Sequence, residues 1–142
     1  MKFWDTSALV PTLVNESSSR RMRAILAGDS EIAVWWATVV ECVSAIGRRE
    51  RVGVTEPSSA RDSYENLGIL AASWSEIPPS EAIRDDARRL VRVHDLRAAD
   101  AYQLSAARAA SDDHPETLPF VTLDDRLALA ASREGFPVLG LG

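Results

Sequence analysis

Four carboxylates stand alone in stretches that otherwise carry no charge. Asp5 is the only charged residue from Phe3 to Asn15, Glu41 from Ile32 to Gly47, and Asp100 between Arg97 and Arg108, while Asp124 follows the uncharged run TLPFVTL. Acids in apolar surroundings are costly to ionise unless something pairs with them. Brought together, each close pair would repel by about 4 kcal/mol at roughly 4 Å in an effective dielectric near 20, so such a cluster calls for a cation. Oxygen ligands without histidine or thiolate suit a hard octahedral ion, Mg²⁺ or Mn²⁺, and not zinc. An ion held this way in a small domain is suited to phosphate chemistry. It lowers the pKa of a bound water, and it or a second ion offsets the charge that builds on the leaving oxygen.

Taken singly, each acid has a plainer reading. Asp5 and Asp124 sit where a strand gives way to a helix, a favoured N-cap position. Asp100 suits the first turn of a helix, three residues after Arg97, and Glu41 suits a buried ion pair with an arginine. Other phosphate-handling designs are missing from the chain: there is no GxxxxGK[ST] loop and no GxGxxG. A phosphoaspartate hydrolase would carry Asp at the first and third positions after the first strand, where this chain has Asp5 and Ser7. A phospho-receiver domain would need a late lysine, and the only lysine is Lys2. His94 and His114 lack a partner at ligand spacing. Cys42 reads as a packing residue, and Trp4, Trp35, Trp36 and Trp74 read mainly as core.

The elements that must position these acids follow from local pattern. KFW reads as a strand ending at Asp5, and SALVPTLVN as a helix containing Pro11. Ser17, Ser18 and Ser19 are N-cap residues for RRMRAILA, which Gly28 closes as a C-cap. EIAVWW reads as a strand and ATVVECVSAIGRRERVG as a helix. PSSARDSYENLGILAASW is a helix opened by Pro57. Past the Pro78-Pro79 break, Ser80 caps EAIRDDARRLVRVH, with Ile83, Ala87, Leu90, Val91 and His94 along one stripe. The alanine-rich LRAADAYQLSAARAA follows as a close-packing helix. After the loop SDDHPETLP come a strand PFVTL, a helix DDRLALAASREG ended by Gly135, and a last strand PVLGL. Alternating strands and helices predict an α/β fold of three layers, a mostly parallel central sheet flanked by helices. Asp5 and Asp124 then both lie at the carboxyl edge of the sheet, where open α/β folds bind ligands. Glu41 and Asp100, on helices, can lean over the same edge.

The chain has 142 residues, 46% hydrophobic and 26% charged, which fits one domain over 1–142. One cysteine excludes an internal disulfide and fits a reducing compartment. No signal-peptide pattern and no apolar run of membrane-span length is present, so a cytoplasmic protein with no membrane contact is expected. The net charge of −5, taken alone, argues against a nucleic-acid partner.

Four segments change that reading. KFWDTSAL, ATVVECVSAI around Glu41, HDLRAADAYQLSAA around Asp100, and FVTLDDRLALAA followed by GFPVLGL resemble, in order and spacing, the PIN-domain nucleases. More narrowly they resemble the VapC-type ribonuclease toxins of type II toxin–antitoxin systems. WSEIPPSEAIRDDARRL also looks like the family, so the likeness covers nearly the whole chain. It implies a PIN-like fold in which Asp5, Glu41, Asp100 and Asp124 are the catalytic, metal-binding acids for Mg²⁺ or Mn²⁺. Thr122 belongs to such a site, its hydroxyl holding a water or a phosphate oxygen or simply packing in a strand. Thr6 and Arg97 support it, Arg97 contacting a phosphate or pairing with Asp100. Asp125 should point elsewhere.

The implied activity is endoribonucleolytic hydrolysis of RNA leaving a 5′-phosphate and a 3′-hydroxyl. The implied partners are an RNA substrate, a cognate antitoxin (a small DNA-binding VapB-like protein) and a second copy in a homodimer. The faces of 17–28 and 56–73 are available to an antitoxin segment. The arginines at 20, 21 and 23 and at 48, 49 and 51 are solvated helix faces or an RNA backbone track. Two other readings stand beside this one: a PIN-type nuclease acting on other RNA or DNA without a toxin role, and a non-catalytic nucleic-acid or protein binding module on the same fold. With four of the excess acids assigned to metal, the surface that meets RNA is nearly neutral.

Overall fold

Apolar residues alternate between the two faces of each strand, and that alternation lays out the layers. The computed structural model describes residues 1–141. Its strands are β1 (Lys2–Trp4), β2 (Ile32–Trp35), β3 (Ser75–Ile77), β4 (Phe120–Val121) and β5 (Val138–Leu139). They form one sheet in the order β3-β2-β1-β4-β5, every neighbouring pair parallel. The helices are α1 (Thr6–Leu13), α2 (Ser19–Gly28), α3 (Thr38–Arg51), α4 (Pro57–Ser73), α5 (Glu81–Val93), α6 (Ala98–Ala110) and α7 (Asp125–Arg133).

In register, Phe3 lies beside Ala33 on β2 and Phe120 on β4, and its ring stacks on Phe120 with centroids 5.4 Å apart. These residues face the layer of α5, α6 and α7, where Ile83, Leu90, Leu104 and Leu127 complete one core. One position on, Trp4, Val34 and Val121 face the opposite way. They pack with Leu9 of α1, Met22 of α2, Ile46 of α3 and Leu67 of α4. Strands buried on both faces are what a parallel sheet covered by helices requires.

Most local expectations hold. Ser80 caps α5, its hydroxyl accepting from Ile83 N–H at 3.1 Å, Pro57 opens α4, and Gly135 follows α7 at φ +99°. Several do not. The sheet has a fifth strand, β3, which the pattern hid because Ser75 and Glu76 are exposed at an edge; β3 pairs only with β2. Gly28 is the last residue of α2 and has no left-handed backbone, so it is not a C-cap glycine. Ser18 holds the N-cap position without a side-chain cap bond. Buried Ser19 instead ties the preceding loop, donating to Val14 O and accepting from Glu16 N–H. Val91 and Trp36 are exposed, at 41% and 55%. Among the described residues no helix is long and apolar enough to cross a membrane.

Consecutive strands β1 and β2 are neighbours, but β1's other neighbour is β4. The strand order therefore reverses direction between β1 and β4, and a crevice opens there at the carboxyl edge. Behind it, Gly140 has φ +115°, and a Cβ at this position would stand 2.4 Å from Thr122 O. Gly140→Ala is therefore expected to destabilise the chain by about 1–3 kcal/mol, read as a lowered denaturant midpoint; an unchanged midpoint would show that the backbone relaxes freely.

Candidate active site

Asp5 leaves the end of β1 as the N-cap of α1, and at 4% exposure its carboxylate is almost wholly out of water. Its Oδ2 accepts from Ser7 Oγ at 2.5 Å, from Ser7 N–H at 3.3 Å and from Thr122 Oγ1 at 2.9 Å. The two hydroxyl oxygens in turn accept backbone N–H groups: Leu123 N–H to Ser7 Oγ at 2.9 Å and Asp124 N–H to Thr122 Oγ1 at 3.1 Å. The plainer N-cap reading thus holds for Asp5. One oxygen is consumed by structure, while the residue still lines the cleft. Burial raises its pKa from 3.8 to about 6, against the pull of the Ser7 and Thr122 hydrogen bonds and with the added field of Asp100.

Asp124 stands at the matching junction after β4 and caps α7, its Oδ1 accepting from Leu127 N–H at 2.9 Å. Glu41 comes from the first turn of α3 and Asp100 from the first turn of α6. Among the described residues Glu41 has no arginine partner, so the buried ion pair is absent. Its Oε1 accepts instead from Gln103 Nε2 at 2.9 Å. Gln103 lies one turn along α6 from Asp100 and is 1% exposed, and the same nitrogen also reaches Thr6 Oγ1 and Thr38 Oγ1, each at 3.1 Å. Gln103 Oε1 is buried with no partner among the described residues, an orphaned acceptor that costs stability. Desolvation, followed by the charge of Asp5, raises Glu41 from 4.5 to about 7. Asp100 is raised by desolvation and by the charge of Asp124, with Arg97 and Arg126 opposing.

All four acids line one open cleft of about 590 Å³ together with Thr6 and Ser7. Thr122 is fully buried behind it, and its hydroxyl meets Asp5, Ser7 and the Asp124 N–H. Arg97 is exposed at the N-cap of α6 and makes no ion pair with Asp100 within 4.0 Å. Asp125 is exposed on the first turn of α7, as expected. His94 closes α5 and meets Glu134 at 2.8 Å, and Cys42 is buried in the core.

The donor set fits a hard divalent cation. It offers carboxylate oxygens only, each of Asp5, Glu41 and Asp100 is held above its ordinary pKa partly by another acid, and no lysine or arginine forms an ion pair with any of them among the described residues. As the side chains stand, no three acids among the described residues are close enough together to enclose an ion. Ser7, Thr38 and Gln103 were not foreseen as site residues. Ser7 and Thr38 are unremarkable in a sequence, but Gln103, a long polar residue inside an alanine-rich helix, one turn from Asp100, was a usable signal.

Residues 2–132 match the family model described as PIN domain. A search of the curated proteins finds no match. Among solved structures, a toxin–antitoxin complex from Klebsiella pneumoniae is similar at 16% identity and TM-score 0.66, covering 98% of this chain and 96% of that one. FitAcB from Neisseria gonorrhoeae is similar at 17% identity and TM-score 0.67, with the same coverages of 98% and 96%. FitAB bound to an IR36 DNA fragment is similar at 16% identity and TM-score 0.67, covering 98% and 94%.

Two outcomes follow from this geometry. Without divalent ions, folded Asp5 and Glu41 retain protons that the unfolded chain has released, since their pKa values rise from 3.8 and 4.5 to about 6 and about 7. Stability must then fall as pH rises through that window, by an amount on the order of 3 kcal/mol from Asp5 alone. Glu134 and Asp29, whose pKa values are lowered, act in the opposite sense and at lower pH. Denaturant titrations in EDTA between pH 5 and 7 should show the decline, and the Asp5→Asn/Glu41→Gln double variant should flatten it. Separately, Gln103→Leu should weaken Mn²⁺ binding by roughly 10–100-fold with the fold retained, measured by calorimetry and circular dichroism.

Proposed function

The chain belongs to the PIN domain family, and from that premise we propose that it is a Mg²⁺- or Mn²⁺-dependent endoribonuclease that acts as the toxin of a toxin–antitoxin pair. The observation that carries the reading is the convergence of Asp5, Glu41, Asp100 and Asp124, from four separate elements, on one cleft at the point where the sheet order reverses. The similarity to structures described as a toxin–antitoxin complex and as FitAB supports the toxin role.

The four acids would hold the ion, which when bound supplies Lewis-acid activation of water and neutralises charge on the leaving oxygen. The chain's own contribution is placement. Ser7 and Thr122 fix the Asp5 carboxylate, Gln103 holds the Glu41 carboxylate beside Thr6 and Thr38, and the capping bond to Leu127 N–H orients Asp124. With water as nucleophile the 2′-hydroxyl takes no part, which excludes a 2′,3′-cyclic phosphate, and expulsion of the 3′-oxygen leaves a 5′-phosphate and a 3′-hydroxyl. Arg97, exposed beside Asp100, is proposed to meet the RNA backbone. An antitoxin segment is proposed to seat between α1, α2 and α4, where Leu26, Ile69 and Leu70 line a cleft, and a homodimer of cytoplasmic chains is part of the same reading.

Asp100→Asn tests it. The substitution removes a charge that its surroundings already disfavour, so the fold should be kept or gain slightly in stability. Cleavage of RNA in Mg²⁺ or Mn²⁺ buffer should drop by roughly 1,000-fold or more, a loss of several kcal/mol of charge stabilisation. A variant that cuts at the wild-type rate removes the site. A wild-type chain that cuts DNA but not RNA under the same conditions replaces the substrate.

A further inference from the structure

The arginines of α3 do not form one uniform basic track. Arg49 is ion-paired with Glu16, so its charge is already compensated. Arg51 lies at the end of the helix, outside the acidic cleft. Arg48 lines that cleft, is exposed, and makes no ion pair or side-chain hydrogen bond among the described residues. Arg48 and Arg49 are the cleft's two cations, and Arg48 is the one left without a counter-charge.

Its position along the helix matters as much as its charge. Seven residues separate Glu41 from Arg48, which is two helical turns, so both lie on one face about 10 Å apart along the axis. Between them Ser44 and Ala45 also line the cleft. The cleft therefore runs from the acids along α3, past Ser44 and Ala45 to Arg48 two turns further on. A polyanionic strand entering a cleft with four carboxylates besides the ion-paired Glu16 needs a compensating cation beside the reacting group, and a free guanidinium is suited to phosphate oxygens.

We propose that Arg48, with Ser44 beside it, is a phosphate-binding subsite that holds the RNA strand at a phosphate neighbouring the one cleaved, fixing the direction in which the strand lies along α3. This rests on the nuclease reading above. Because Arg48 stands away from the acids, its contact is made equally in the bound substrate and the transition state, so its loss should act on KM and not on kcat.

The experiment uses the full chain and a short fluorescein-labelled single-stranded RNA. Arg48→Ala should raise KM about tenfold with kcat within about twofold. In fluorescence anisotropy, the slope of log affinity against log salt should fall by about 0.7, the value for one phosphate contact on a single strand. Arg48→Lys should restore the salt slope and part of the KM, and Arg51→Ala should leave both unchanged. Thermal midpoints should match wild type throughout, because Arg48 is exposed and unpartnered. If wild type cuts the RNA and Arg48→Ala keeps both the wild-type KM and salt slope, the subsite is overturned while the nuclease reading stands. An equal effect of Arg51→Ala would replace the subsite with diffuse charge and overturn it too. A wild-type chain that neither binds nor cuts the RNA overturns the nuclease reading and the subsite together.

Discussion

One carboxylate oxygen joins the two halves of the sheet at the place where the chemistry is proposed. Asp5 Oδ2 collects two hydroxyl donors and a backbone N–H, and those hydroxyls are themselves oriented by the Leu123 and Asp124 N–H groups. The relay ties the β1–α1 junction to the β4–α7 junction across 115 residues or more of sequence. Hydrogen bonds to a charged acceptor contribute about 1.5–3 kcal/mol each, and here they hold an otherwise costly buried acid in place. Gly140 takes part from behind, since only a residue without a side chain lets β5 pass so near the Thr122 carbonyl.

The fold treats its acids in two distinct ways. At the C-cap of α7, Glu134 meets Arg89, Arg108 and His94, and Asp86 meets Arg89 and Arg108. This network links α5, α6 and α7, and although burial opposes it, those partners hold Glu134 below its ordinary pKa. Across the sheet edge, Asp5, Glu41 and Asp100 are raised, chiefly by burial and then by neighbouring acids of the cleft, Asp124 in the case of Asp100. The chain has 15 arginines and one lysine, yet among the described residues none of them forms an ion pair with this group. The resulting unfavourable field is an electrostatic reason for a divalent ion to bind there, and Arg48 stands at the end of the cleft where a polyanion would still meet positive charge.

Isolation of an acid in an uncharged run is a signal visible in one dimension, because a lone charge in apolar sequence is bound for a partly buried place. It singled out Asp5, Glu41, Asp100 and Asp124, and all four line one cleft. Caps were readable for the same local reason: Ser80 and Asp124 accept N–H groups within their own helix. The misses share a cause. β3 has exposed side chains at an edge and owes its existence to pairing with β2. Ser19 is a good N-cap by type but finds a better use tying a loop, and Val91 falls just outside the buried stripe of α5.

Residue types and their local spacing were enough for the alternating α/β pattern and the carboxyl-edge placement of Asp5 and Asp124, because helix period, strand alternation and capping act over a few residues. Pairings between distant segments decided the rest. The wholly parallel order, the Thr122–Asp5 link of the relay, the choice of Gln103 over arginine as partner of Glu41, and the pairing of Arg49 that leaves Arg48 free all join residues from 18 to 117 positions apart. No local period encodes such contacts. They arise when burying both faces of the sheet forces particular helices side by side, and polar groups caught there must find partners among whatever the packing has brought within reach.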